Sequence, residues 1–472
     1  MNKEDLLAPG KHPIRVAQFG TGNFLRAFAD YMIDVANEKG CFDGDVVMVK
    51  QVPGKGSDRL AAQGGEYHVI LQGKQDGKII DEVRVITSVR GTVNPYTDYD
   101  AYLALARLDT LRFVISNTTE AGIVYDESDK FDSLPAASYP GRLVQFLYER
   151  WQAFSGDPDK GLIILPVELI EDNGKVLKEC CMKLIDRWAL DEAFKAWVEK
   201  ANVFTSTLVD RIVSGKSDAM SAKFPDDSMY VVAEPFGLWI IASDKDISGE
   251  FTLAQAGMPV VFTDDLKPFR ERKVRVLNGT HTAMAMISYL CGVSIVADAM
   301  ADALLRRYID YVSYEELAPA VPQPIDETRE FADEVMERFE NPFLNHKLLD
   351  ISLNSVSKWR ARDLPTVCDT LAAGKDPKVL VFSLAALLAF DTIAEDKDGQ
   401  YYGKLSDGSL YPIREDRKVV ESVQVQSLDD VKRVLSDESL WGTDLSSLSQ
   451  DVWTSLCAIR EDPRKAVEAL LA

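Results

Sequence analysis

The sequence predicts an α/β N-terminal domain of mostly parallel strands with added antiparallel strands, followed by a mostly α-helical C-terminal domain. Three observations predict it. A short apolar run, Ile14–Phe19, leads straight into Gly20-Thr21-Gly22 and then into residues at helical spacing. Buried-looking strands alternate with helical segments as far as about residue 265. Beyond that point the texture is helical.

After the glycine turn, Phe24, Phe28, Tyr31, Met32, Val35 and Ala36 predict one helix, with Gly40 as its C-terminal stop. Residues 46–49 read as the next strand. Residues 67–71 and 78–85 flank Lys74-Gln75-Asp76-Gly77, a hairpin signal. Further strands are predicted at 111–116, 161–165 and 230–233, with helices at 98–108 and 141–154 between them. Pro268 suits the first turn of a helix behind Thr263-Asp264-Asp265, and that helix can run on to Leu290. Later helices are predicted at 297–313, 326–339, 379–390 and 428–436. Two domains follow, residues 1–265 and 266–472.

The chain has 472 residues, 46% of them hydrophobic, enough for a large core. The longest apolar stretch, residues 379–390, is too short to span a bilayer, and the polar start MNKEDLLAPGKHP has no signal-peptide core. A soluble, cytoplasmic protein is expected. Six scattered cysteines with no Cys-x-x-Cys pair fit reduced thiols rather than a disulfide framework. Four histidines show no zinc-ligand spacing, so no metal is expected. A net charge of −22 argues against nucleic acid and anionic membranes as partners. An anionic small molecule remains possible if a local cationic cluster receives it, since exposed charges are screened beyond ~8 Å.

Gly20-Thr21-Gly22 lets the backbone turn sharply and approach a pyrophosphate, with helix amides behind it. Leu25 replaces the third glycine of the full fingerprint, so an ordinary strand-to-helix turn is the competing reading. Arg26 is either a phosphate contact or a solvated helix residue. Asp58 can accept ribose hydroxyls and repel a 2′-phosphate, or simply cap a helix; Lys50 and Arg59 stand near it in sequence. In the second domain, Lys273, Asn278 and His281 share one broad face if the helix is regular. His281 then lies about 80° and Asn278 about 140° from Lys273. A desolvated lysine can give a proton to a carbonyl and an asparagine amide can support the developing alkoxide. The competing reading is a solvated lysine, a helix-embedded asparagine and a satisfied core histidine.

Gly20-x-Gly22-x-Phe24-x-Arg26, Thr119-Glu120-x-Gly122, Asp210-Arg211, Glu234-Pro235-Phe236 and Lys273-x4-Asn278-x2-His281 resemble the mannitol dehydrogenase family of long-chain polyol dehydrogenases. The resemblance runs from about residue 14 to the C-terminus. It implies a Rossmann-type N-terminal domain, a helical C-terminal domain and metal-free chemistry with NAD. The cofactor would be held around Phe19, Gly20, Thr21, Gly22, Asn23, Phe24, Arg26, Asp58, Thr119 and Glu120. Lys273 would be the general acid/base, Asn278 would polarise the carbonyl, and His281 would orient substrate. Asn173 and Asp210 would lie on the substrate side. One departure stands out: Glu168-Leu169 occupies the place of an Asp-Asn pair, and Leu169 cannot donate a side-chain hydrogen bond. Asn173, matching a second family asparagine, is the candidate replacement.

Lys358, Arg360 and Arg362 put three cations in five residues of an acidic chain. Family members acting on sugars and polyols bind uncharged molecules, whereas a keto-uronate needs its carboxylate paired. A keto-uronate/aldonate substrate is therefore expected, with a solvated basic loop as the competing reading of this segment. A polyol substrate is the alternative within the class. A non-catalytic dinucleotide-binding sensor is the alternative outside it, disfavoured because a sensor needs no proton donor. Oligomeric state is left open, a monomer included.

Overall fold

β1 (Ile14–Phe19) sits at the middle of a six-stranded sheet. The computed structural model describes residues 1–53, 59–118, 122–216 and 218–472. α1 (Asn23–Ala27) and α2 (Ala29–Glu38) follow β1, then β2 (Asp45–Val49), β3 (Tyr67–Gln75), β4 (Lys78–Ile86), β5 (Val89–Val93), β6 (Phe113–Ser116), β7 (Ile163–Pro166), α3 (Asn173–Arg187) and β8 (Val203–Phe204). The sheet order is β5-β2-β1-β6-β7-β8 and every pairing is parallel. Near-continuous apolar strands such as Val46-Val47-Met48-Val49 require cover on both faces. Alternation supplies it: Val16 and Met48 enter one core, Ala17 and Val47 the other. Strand order reverses between β1 and β6. Phe19 pairs with Val49 on one side and Ser116 on the other, so Gly20 leaves the sheet at the switch point, where crevices form in such sheets.

The expected antiparallel additions do not extend this sheet. They form two more, from β9 (Ser206–Asp210), β10 (Val213–Gly215), β11 (Val231–Ala233), β12 (Leu238–Ala242) and β13 (Val260–Thr263). Their orders are β10-β11-β3-β4 and β13-β12-β9, and each mixes parallel with antiparallel pairs. The β3–β4 hairpin turns at Asp76 and Gly77, with φ 52° and 72°, the left-handed pair that a two-residue turn demands.

The single helix expected after the glycine turn is broken. Phe28 leaves helical geometry (φ −119°, ψ −80°) and buries its ring 4.8 Å from Phe24 and 5.2 Å from Trp239. Gly40 ends α2 as anticipated: at φ 70° it donates to Asn37 while Cys41 donates to Ala36 at 2.8 Å.

By compactness the chain divides into two units. Unit 1 comprises Met1–Gln72 and Ile79–Leu266; unit 2 comprises Lys267–Ala472 together with Gly73–Lys78, the hairpin tip. Unit 2 begins with α4 (Lys267–Arg272), a π-helical turn Lys273–Gly279, and α5 (Thr280–Leu290). Next come α6 (Val296–Ala301), α7 (Ala303–Asp310), a second π segment Tyr311–Leu317, α8 (Ile325–Phe339), α9 (Ser355–Arg362) and α10 (Lys378–Phe390). Residues 297–313, expected as one helix, split at Asp302, whose carboxylate caps α7 through the amides of Leu304 and Leu305. Apolar on all sides, α10 is buried almost throughout. All six cysteines are free thiols. Among the described residues no helix is long and apolar enough to cross a membrane.

Candidate active site

Unit 1 carries a cavity of about 770 Å³ beside the glycine turn, within the range of small-molecule sites. Gly20 has φ 144°, and a Cβ there would stand 2.9 Å from the Asn117 carbonyl oxygen, so both conformation and space demand glycine. Gly22 is different. A Cβ there would meet nothing within 4 Å, so packing does not require glycine, and the open backbone faces room for a ligand. Thr21 and Asn23 line the cavity.

The solvated reading of Arg26 does not hold. It is 6% exposed, donates to the Met229 carbonyl oxygen and to Asn23 Oδ1 (2.6 Å), and lies over the Tyr67 ring. It is a fixed part of the cavity wall. Lys50, Arg59 and Lys216 line the same cavity, so four cations surround a space suited to a diphosphate. Lys216 lies far away in sequence, and no local signal marked it. Two expected cofactor residues pack on the core. Phe19 is fully buried among Tyr102, Tyr139 and Phe146, and Phe24 packs on the core against Phe28. The Phe19 side chain is committed to packing, so only its backbone can face a ligand; Phe24 is half-buried. Asp58, Thr119 and Glu120 lie outside the described residues.

Beneath the turn sits a buried polar knot. Tyr67 donates to Asp30 at 2.8 Å, and Gln18 donates to Asp30 and to the Gly20 carbonyl oxygen, each at 3.3 Å. Burial pushes the Asp30 carboxyl up to about 7 despite these bonds.

Asn173 cannot replace the donor missing at Leu169. Its amide nitrogen donates to the carbonyls of Pro166, Glu168 and Thr207 at 3.0–3.2 Å, and its oxygen accepts from the amides of Gly174 and Thr207, both at 2.9 Å. Both ends are saturated within the fold, and the residue is fully buried. Asp210 is buried at the end of β9, paired in register with Leu238.

In unit 2 the motif lies on a π turn, which corrects the regular-helix angles. A turn closed by i→i+5 bonding advances each residue less than a regular α-helix does, so Asn278, five residues after Lys273, comes round towards it. Lys273 and Asn278 are half-buried. The Asn278 side-chain amide carries no hydrogen bond among the described residues; its main-chain oxygen accepts from Thr282 Oγ1 at 2.9 Å. His281 stacks on Phe339 with centroids 4.0 Å apart and meets the edge of His346 at 5.1 Å. Its Nε2 is buried with no partner among the described residues. Burial, then the nearby charges of His346, Arg338, Arg362 and Lys358, holds its pKa well below the usual histidine range. The ring is therefore neutral at physiological pH. Phe339, Arg338 and His346 escaped sequence reasoning because their placement depends on how α8 packs.

The basic stretch is a helix, α9, not a loop. Val356 and Trp359 face the core, and Trp359 donates to Ser383 of α10 at 2.9 Å. Helical geometry then sorts the three cations. Lys358 and Arg362, one turn apart, stand near His281, and Arg362 donates to Thr282 at 3.0 Å. Arg360 points elsewhere and donates to the carbonyls of Ser439 and Leu440, both at 3.3 Å, so it is no candidate for a substrate clamp.

The mannitol dehydrogenase Rossmann domain matches residues 14–255, and the mannitol dehydrogenase C-terminal domain matches residues 265–459. An altronate oxidoreductase of Escherichia coli is 39% identical over 492 aligned positions, covering 100% of this chain and 99% of its own. One from Yersinia enterocolitica is 38% identical over 468, covering 95% and 94%. A D-sorbitol dehydrogenase structure superposes with TM-score 0.81 at 22% identity, covering 97% of this chain and 95% of that one. Pseudomonas fluorescens mannitol 2-dehydrogenase, solved with NAD and D-mannitol, gives 0.67 at 22% identity, covering 100% and 99%. The two structures share the fold, and the sequence matches span nearly the whole chain: it belongs to the mannitol dehydrogenase family.

Proposed function

We propose that this chain is an NAD-dependent oxidoreductase that interconverts D-tagaturonate and D-altronate, with Lys273 as general acid/base. That it is an oxidoreductase acting on a CH–OH group accords with its family and its near relatives. The observation that carries the finer reading is the grouping of Lys358 and Arg362 beside neutral His281, three residues from Asn278. A site for an uncharged polyol has no use for two partly desolvated cations; a uronate carboxylate does.

The unit 1 cavity suits NAD. Its open glycine backbone and four cations match a diphosphate, and Asp58 supports an unphosphorylated ribose. Held by Thr21, Asn23, Arg26 and the other cations of this cavity, NAD would supply the hydride acceptor or donor. Lys273 Nζ gives its proton to the carbonyl oxygen as C=O becomes CH–OH, and takes it back in the oxidative direction. The Asn278 amide donates to the same oxygen as negative charge grows there. Neutral His281 offers Nε2 to a substrate hydroxyl, and Arg362 or Lys358 pairs with the carboxylate. One deciding experiment compares tagaturonate, fructuronate and fructose by NADH absorbance. Tagaturonate should give the highest kcat/KM. Fructose turned over as well as the uronates would overturn the carboxylate role, and equal use of NADPH would overturn that of Asp58.

A further inference from the structure

Asp363 follows Arg362 at the end of α9 and is fully buried. Neither of its carboxylate oxygens has a hydrogen-bond donor among the described residues. Its backbone is engaged normally, donating to Trp359 at 2.9 Å and accepting from Val367 at 3.1 Å. The side chain lies against the π turn. A Cβ added to Gly279, the last residue of that turn, would stand only 2.7 Å from Asp363 Oδ1. Glycine at 279 is thus what lets the carboxyl reach the main chain next to Asn278.

An ionised carboxylate in this place would be a buried charge with acceptors only, which is far costlier than a neutral acid. The charged groups around it do not relieve that. Arg362 is the adjacent cation, yet its guanidinium donates to Thr282. Tyr308 on α7 has its hydroxyl engaged with the Ala283 carbonyl at 3.1 Å. Leu317 closes the remaining side at Gly279. A neutral carboxylic acid changes the count, because it brings its own donor. The π turn can use one. Where i→i+5 bonding gives way to i→i+4 bonding, as it does when Thr280 N–H returns to Val276, a main-chain carbonyl is passed over.

We propose that Asp363 is a positioning residue: it keeps its proton at neutral pH and donates it to a main-chain carbonyl of the π turn, fixing the turn that presents Asn278 and Lys273. Burial drives the same protonation, raising the carboxyl pKa well above the usual carboxylate range against the opposing pull of Arg362. The inference rests on the catalytic reading of Lys273 and Asn278 for its consequence, but not for the proton itself.

Infrared difference spectra between the wild type and Asp363→Asn test the proton without any substrate. A protonated-carboxyl band at neutral pH that the variant lacks is expected; an ionised-carboxylate band in its place overturns the proposal. Kinetics test the consequence. Asp363→Asn keeps an N–H donor of the same shape and should hold kcat within about threefold. Asp363→Leu keeps the bulk without the donor and should lose roughly 10- to 100-fold in kcat, with the KM for NADH unchanged. Equal losses in the two variants overturn the positioning role. Should Asp363→Leu fail to fold, the infrared band and the Asn kinetics still decide. Should no ketone be turned over at all, the catalytic reading fails while the infrared result stands by itself.

Discussion

The glycine turn of unit 1 and the π turn of unit 2 both carry polar side chains that the family resemblance marks as functional, and they treat them in opposite ways. Around the glycine turn the marked side chains are mostly bound to their own fold, Arg26 Nε being an exception among the described residues. Arg26 is fastened to Met229 and Asn23, Asn173 has both ends of its amide filled, and Phe19 is inside the core. Around the π turn they are left open. Asn278 carries no side-chain bond among the described residues, and His281 Nε2 is buried without a partner. A side chain saturated by protein shapes a site, whereas an unsatisfied one is available to a ligand, because a buried polar atom without a partner is costly until something fills it.

Removing the proposed proton donor should cost the most. Lys273→Ala should lower turnover by ~10²-fold or more, the range for general acid–base catalysis, with NADH affinity unchanged by fluorescence titration. Near-normal turnover in that variant would place the proton donor elsewhere.

Next in size is the test that splits the α9 cations. Arg362→Leu should raise the KM for tagaturonate about 10- to 150-fold, the worth of a charge-assisted bond, and leave that for fructose nearly unchanged. Arg360→Leu should leave both constants alone, since its guanidinium serves the Ser439 and Leu440 carbonyls. If the two variants behave alike, the helical sorting of these cations has no functional meaning.

Asn173→Ala should act on stability instead of turnover. Emptying its six side-chain hydrogen bonds should cost about 1–3 kcal/mol in a denaturation experiment. A specific loss of kcat with unchanged stability would return Asn173 to the substrate side.

The last effect depends on pH and concerns Asp30. Its folded pKa of about 7 lies above the ordinary 3.8, so the folded state holds a proton that the unfolded state releases. Stability from this group is complete below the usual carboxylate range and is lost as pH rises to about 7, levelling beyond it. Asp30→Asn cannot ionise. Its stability relative to the wild type, followed by denaturation, should climb over that window and then flatten, with an upper bound of about 4 kcal/mol. A difference independent of pH would mean that Asp30 is ionised throughout.

Sequence by itself determined what depends on neighbours along the chain. A glycine at φ 144°, the Asp76-Gly77 turn, the stop at Gly40 and the buried apolar helix α10 all follow from local sterics or periodicity, and each was legible. The Lys273–Asn278–His281 motif and the change of texture near residue 265 are likewise features of neighbours along the chain. Tertiary structure alone decided the rest. It broke the first helix at Phe28 and drew the added strands into sheets of their own. It widened the helix at Lys273–Gly279 into a π turn, and it placed Lys358 and Arg362, but not Arg360, near His281. It also brought His281 against Phe339 and His346, and Asp363 against Gly279. These partners lie 58 to 84 residues apart, a separation read from their numbering, and no periodicity or turn preference reaches that far. Only the packing of whole helices settles which polar atoms are satisfied and which are left for a substrate.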